Sequence, residues 1–319
     1  MPATDGIFEL FKKRPLVGLG EMHGLAQEFE VYFALVRDPR FATEVGNILL
    51  ETGSASNQGI VDRYVNGEHV PYPELRKVWA DTVGWFPAVT GIGAIRLYAA
   101  IRLANATLPP DKRIKVWLGE PPIDWLTVKT KADWEPLSKQ RDSHPAELAR
   151  REILTKGKKA LLIYGVGHFG IYPIPTLRMI LDKTNPGSLF VVAPYVGYAQ
   201  KDCAVRFERH ITGWKVPSLA WPIQGSTLEV DIWRRECDAF AKVPNAAQEN
   251  ASRNNVGLTA DALLYMGPRD SLLQDGTDPD ILMDLDYRAE LARRYELRTG
   301  EPLPPPNVSR QVSRPFLED

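Results

Sequence analysis

Short apolar runs alternate with longer amphipathic stretches along the 319 residues. Pro15–Gly20 reads as a strand that passes through Gly20-Glu-Met-His-Gly24 into a helical pattern ending near Arg37. Asn47–Glu51 reads as a second strand. It breaks at Gly53-Ser-Ala-Ser, where Ser56 is placed to cap a helix over Gln58–Val65. Helical spacing recurs over about Tyr72–Val83 and Ile92–Asn105, and Pro109-Pro110 ends the latter. Ile114–Leu118 is a third strand, followed by the loop Gly119–Trp125. A helix covers roughly Pro145–Leu154. Ala160–Tyr164 is a fourth strand, continuously apolar as a doubly covered parallel strand should be. After Gly165-Val-Gly-His168 come a helix about Ile174–Leu181 and a fifth strand, Ser188–Ala193.

This alternation predicts βαβ units. The fold class is therefore α/β, a mainly parallel sheet with helices on both faces and a cleft at the carboxyl edge of the strands. Residues 1–195 carry that core. Residues 196–319 are less regular and are expected to complete the same domain or to form a lid. Within them Asp261–Met266 reads as a last strand, Asp284–Arg298 as an amphipathic helix and Pro302–Pro306 as the start of an extended tail.

Composition narrows the classes. Hydrophobic residues make up 44% of the chain, enough for a sizeable core. The 39 Lys and Arg balance 40 Asp and Glu, so no basic excess calls for nucleic acid. No stretch approaches the ~20 apolar residues of a membrane span. At the N-terminus the charges follow the apolar residues, the reverse of a secretory signal. Two cysteines, Cys203 and Cys237, make no disulfide framework and fit a reducing compartment. The expectation is a cytoplasmic protein acting on a small molecule or peptide, without nucleic-acid or membrane partners.

The ionisable residues fall on one edge. Glu21 and His23 follow strand one, Glu51 closes strand two, Glu120 and Asp124 follow strand three, and His168 follows strand four. In open α/β sheets ligands bind beyond the carboxyl ends of the strands, so these residues converge without being adjacent in sequence. Gly18, Gly20, Gly165 and Gly167 are read as giving both Gly-x-x-His loops freedom to turn at positive φ. Two histidines and two glutamates allow two chemistries. A neutral histidine oriented by a carboxylate can abstract a proton from water, typically worth ~10²–10⁴-fold. The same groups suit a divalent metal with an open position for water. The residues alone leave that choice open, so the cofactor is none or one divalent metal ion.

Other signals read as structural. Gly18-x-Gly20 fails as a dinucleotide loop because His23 stands where the third glycine belongs. No Gly-x-Ser-x-Gly elbow occurs. Trp79, Trp85, Trp117 and Trp125 are expected in the core or pocket wall. His69, His144 and His210 read as surface or loop residues. Arg141-Asp142 is by default a solvated loop.

Leu19-Gly-Glu-Met-His-Gly24, Glu51 and Gly-x-Gly-His168 together resemble the erythromycin esterase/ChaN-like superfamily, which includes the Tiki metalloproteases. Val61–Gly67 resembles its Tyr-Val-x-Gly segment, Arg102–Asn105 its Arg-x-x-Asn, and Arg141-Asp142 with Ala149 its Arg-Asp segment. The resemblance spans residues 15–195. For esterase-like members it implies metal-free activation of water by Glu21, His23, Glu51 and His168. For Tiki-like members it implies a metal held by His23, His168 and Glu21 or Glu51. For ChaN-like members it implies haem or iron binding, and no lipobox cysteine stands near the start to support that branch.

The reading is a hydrolase of the esterase-like type, acting on an ester or amide. In it His23 activates water, Glu21 or Glu51 orients it, and His168 polarises the carbonyl or protonates the leaving group. Arg63 and Arg141 are candidates for an anionic substrate group. The alternatives are a metal-dependent peptidase using the same residues and a haem- or iron-binding protein without catalysis.

Overall fold

The predicted strands form as β1 (Leu16–Glu21), β2 (Asn47–Ser54), β3 (Lys115–Glu120), β4 (Ala160–Gly165) and β5 (Leu189–Pro194) in a computed structural model of the chain. The structure describes residues 1–84, 91–170, 173–198, 200–228, 260–279, 283–305 and 314–317. Trp85, Cys237 and most of the expected tail lie outside the described residues. Two further strands, β6 (Ser218–Ala220) and β7 (Ala262–Tyr265), extend the sheet. Its order is β3-β2-β4-β1-β5-β7-β6, with every pairing parallel except β6 on β7. The architecture is α/β, as the alternating pattern predicts.

Helices cover both faces. On one side lie α1 (Ala3–Phe11), α2 (Ala26–Arg37), α3 (Gln58–Val65), the short α4 (Tyr72–Leu75) and α5 (Lys77–Ala80), and α6 (Ile92–Ala106). The other side carries α8 (Ser143–Glu152), α9 (Leu177–Thr184) and α10 (Lys201–Glu208). Strand residues alternate between these two cores, as the period of two requires. Val17 and Leu19 of β1 join the first, and Leu16 joins the second. All six residues of β1 and of β4 are buried, the signature of strands covered twice. Two more helices, α7 (Lys131–Ser138) and α11 (Leu285–Thr299), meet over the carboxyl edge.

Several expectations need correction. Helical spacing over Tyr72–Val83 resolves into α4 and α5, which meet at Arg76. The Arg76 guanidinium turns to Asp284, 2.8 Å away, and stacks on the Tyr287 ring, a tertiary anchor that periodicity does not register. Ser56 does not cap α3; a short 3₁₀ turn intervenes. Its hydroxyl instead donates to the Ile123 carbonyl and accepts from the Ile123 amide, pinning the loop after β3. Cys203 is disulfide-bonded, which does not follow from the reading of the two cysteines as fitting a reducing compartment. Trp79 and Trp125 are buried as expected, and Trp117 is half-buried with its indole N–H on Asn47.

The glycine reading is overturned in mechanism. Gly18, Gly20, Gly165 and Gly167 are not among the glycines with positive φ. Gly18, Gly20 and Gly165 serve close approach instead, while a Cβ on Gly167 would meet nothing within 4 Å. A Cβ on Gly18 would lie 2.6 Å from the Phe169 ring, which packs straight onto β1. Of the two His loops, positive φ occurs at Gly24, at +89°.

The C-terminal segment also ties down the edge. The Gly24 carbonyl accepts from the Asp275 amide (2.7 Å) and the Gln274 side chain (2.9 Å). Asp275 accepts in turn from the Gly93 amide at the start of α6. Residues 273–276 thus strap the turn after β1 to α6. Among the described residues no helix is long and apolar enough to cross a membrane.

Candidate active site

Four adjacent strands, β3, β2, β4 and β1, deliver charged side chains to one edge. β2 carries two extra residues against β3, since Leu50 pairs with Leu118 but Ser54 with Glu120. Glu51 lies in that irregularity, where a bulge re-aims a side chain out of the ladder. Its carboxylate is buried and accepts three hydrogen bonds. Oε1 takes Arg141 Nη2 at 2.6 Å and His168 Nε2 at 3.0 Å, and Oε2 takes the Gly165 amide at 2.5 Å.

A chain of alternating charge runs outward from Glu51. Arg141 reaches back with Nε to Glu120 Oε1 at 2.5 Å. Glu120 Oε2 accepts from the amides of Val83 and Gly84. On the other side the His168 ring faces Asp142 Oδ1 through Nδ1 at 2.7 Å, and Asp142 also accepts from the Leu177 amide that opens α9. The order is Asp142, His168, Glu51, Arg141, Glu120.

Electrostatics follow from this order. Burial opposes charge on His168, but Glu51 and Asp142 outweigh it and hold the ring's pKa up at about 10. The ring is an imidazolium at neutral pH, donating from both nitrogens. Burial would raise Glu51, yet His168 and Arg141 hold it well below the usual carboxylate range. Burial is the larger influence on Glu120 and pushes its pKa up despite Arg141.

His23 stands apart in exposure. Its side chain is 40% exposed against 12% for His168 and 2% for Glu51. Nδ1 faces Glu21 Oε2 at 3.4 Å. The other edge of the ring lies over Gly165: a Cβ there would sit 2.8 Å from His23 Nε2 and 3.1 Å from Glu51 Oε2. His23 and Glu51 therefore border one small space that the missing side chain leaves open. Burial lowers the His23 pKa, but Glu21 and then Glu51 more than offset it, against the charge of His168, and the net direction is upward.

The structure brings together Glu21, His23, Glu51, His168 and Arg141. It does not bring in Arg63, whose ion pair is with Glu74 on α4. Arg141 is committed to two carboxylates rather than open to a substrate anion. Asp142, expected as a solvated loop residue, is instead a partner of His168. Glu120 was legible as a strand-end carboxylate, but its tie to Arg141 was not. His144 takes the Gly119 carbonyl at 2.9 Å on Nδ1, beside Glu120.

A resident metal does not fit these donors. Both His168 nitrogens are occupied by carboxylates, and Glu51 is occupied by a guanidinium, a ring N–H and an amide. Among the described residues no group of three His, Cys, Asp or Glu is arranged to hold a metal ion.

No family model matches the chain, and no curated protein matches it. Solved structures similar to it include a protein from Bacillus cereus, 12% identical, covering 82% of this chain and 90% of that one, with a TM-score of 0.49. An open-conformation mutant of the erythromycin esterase EreC is 12% identical, with 86% and 94% covered and a TM-score of 0.47. ChaN of Campylobacter jejuni, solved for its cofacial heme binding, is 13% identical, with 61% and 86% covered and a TM-score of 0.38. An erythromycin esterase and a ChaN are two of the three groups named by the sequence resemblance.

Proposed function

We propose that this chain is a hydrolase in which His23 activates water against an ester or amide carbonyl of a small molecule or peptide. The observation that carries the reading is the contrast in exposure: His23 is half-exposed, while Glu51 and Glu120 behind it are buried, His168 and Arg141 are half-buried, and all four are hydrogen-bonded. Nδ1 faces Glu21, and Nε2 is on the side of the ring that lies over Gly165. Neutral His23 takes a proton from water there as the oxygen attacks the carbonyl. The imidazolium formed is stabilised by Glu21 and Glu51, and it returns the proton to the leaving oxygen or nitrogen. His168 has both nitrogens on carboxylates. In this reading it holds Glu51 in place rather than protonating the leaving group.

The test is hydrolysis of a panel of nitrophenyl esters and anilides by the purified chain, with rate followed against pH. His23→Ala should lose at least ~10²-fold in rate. The wild-type rate should rise with pH through an ionisation above the ordinary histidine value of about 6.5. Chelator should leave it unchanged. An alanine variant as fast as wild type, or a rate abolished by chelator, refutes the proposal.

A further inference from the structure

We infer that Glu28 is a positioning residue for this base: from beneath the Gly20–Gly24 turn its carboxyl group holds the Met22 amide and so sets His23 against Glu21. The inference rests on reading His23 as the base.

Glu28 occupies the third position of α2, and it is fully buried. A glutamate at that position ordinarily reaches back to the amide of the helix's own N-cap. Here the N-cap is Leu25, whose side chain makes no capping bond, and Glu28 reaches three residues further. Both of its oxygens lie on the Met22 amide, at 3.0 and 3.1 Å. Met22 is the residue between Glu21 and His23. One helical turn on, the Tyr32 hydroxyl donates to the same carboxyl group at 3.4 Å.

Glu28 is fully buried on a helix whose Phe29, Val31 and Leu35 belong to the core, and burying a carboxyl group is costly. What the carboxyl group supplies is a fixed acceptor for one amide beside the base. Burial first, and the neighbouring Glu21 charge second, push its pKa well above the carboxylate range. Among the described residues the charged groups acting on His23 include Glu21, Glu51 and His168; Glu28 feels the charge of Glu21 and accepts from the Tyr32 hydroxyl. The opposite flank of the turn is held at the Gly24 carbonyl by Gln274 and Asp275. Met22, His23 and Gly24 are thus clamped from inside and outside.

Two readouts that need no turnover test this, so failure here and failure of the hydrolase reading are distinguishable. The first is hydrogen exchange at the Met22 amide. It should be protected in the wild type and exchange roughly tenfold faster in Glu28→Leu, the worth of one hydrogen bond. The second is the titration midpoint of His23 by NMR. In Glu28→Leu it should fall toward the free value of about 6.5, because the ring loses its fixed distance to Glu21. Glu28→Gln keeps an acceptor and should match the wild type in both. A folded leucine variant with an unchanged His23 midpoint overturns the inference. So does a wild-type Met22 amide that exchanges as fast as unfolded chain, a measurement that stands even where the leucine variant does not fold.

Discussion

Raising the pH should remove stability that His168 supplies, and the structure sets the size of the effect. The ring is 12% exposed and lies between Glu51 and Asp142, with a pKa of about 10 in the folded chain. In the unfolded chain it returns to about 6.5. A group whose pKa is raised by folding stabilises fully below its unfolded value and loses that stabilisation as pH climbs through the folded value. The window is therefore about pH 6.5 to 10. At roughly 1.4 kcal/mol per pH unit, the whole contribution is about 5 kcal/mol, and roughly 4 kcal/mol of it remains at pH 7. That is an upper figure, and a third of a typical domain's stability would disappear with even part of it. The assay is urea unfolding followed by far-UV circular dichroism at pH 7, 8, 9 and 10, on the wild type and on His168→Gln. Tyrosines and lysines titrate in both proteins, so the quantity to read is the gap between the two stability curves. The gap should narrow by several kcal/mol toward pH 10. Parallel curves would show that His168 is not charged in the folded chain, and the alternating cluster would lose its middle member.

Two further perturbations probe the same edge. Gly165→Ala puts a methyl group 2.8 Å from His23 Nε2 and 3.1 Å from Glu51 Oε2. Gly165 has φ −47° and ψ 135°, which alanine tolerates, so the variant should fold and its ester hydrolysis should fall by at least ~10²-fold; unchanged turnover would remove the space over Gly165 from the mechanism. Arg141→Met leaves Glu51 and Glu120 without their shared cation and should destabilise the chain by about 3–5 kcal/mol in urea unfolding; a loss below about 1 kcal/mol would mean that the guanidinium is replaceable by water.

Strand positions were readable because β1, β2, β4 and β5 are buried on both faces, and such strands leave uninterrupted apolar runs. α7 was not assigned, although Thr130 and Asp133 form a capping box that spells its start. The edge that gathers Glu21, His23, Glu51 and His168 followed from the rule for parallel sheets alone. What the sequence did not disclose was which partner each charge takes. Arg141 and Asp142 are neighbours in the chain, yet one turns to Glu51 and Glu120 and the other to His168. A residue count along a loop carries no information on that divergence. Glycine identity was also ambiguous: Gly18 and Gly165 fit a turning role and a close-packing role equally well until the ring they touch is known.

The cluster's length explains why a buried charge is tolerated here at all. A single buried pair often fails to recover its desolvation. In this chain each interior member has two partners, and the ends are closed by backbone amides of Val83, Gly84 and Leu177. Each carboxylate in the chain thereby accepts at least two hydrogen bonds and both His168 nitrogens are paired, which favours a network that rigidifies rather than destabilises. Rigidity has a chemical consequence in the proposed mechanism. Glu51 cannot swing to form a close pair with His23, since three donors hold it. It acts on His23 across the Gly165 space as a fixed negative charge. That charge favours the imidazolium that water activation creates, and it also raises the pKa of the resting ring. One arrangement therefore stabilises the protonated base in the transition state and reduces the neutral base at pH 7. An alkaline rise in rate is the necessary companion of this geometry, and a rate profile flat from pH 6 to 9 would separate Glu51 from His23.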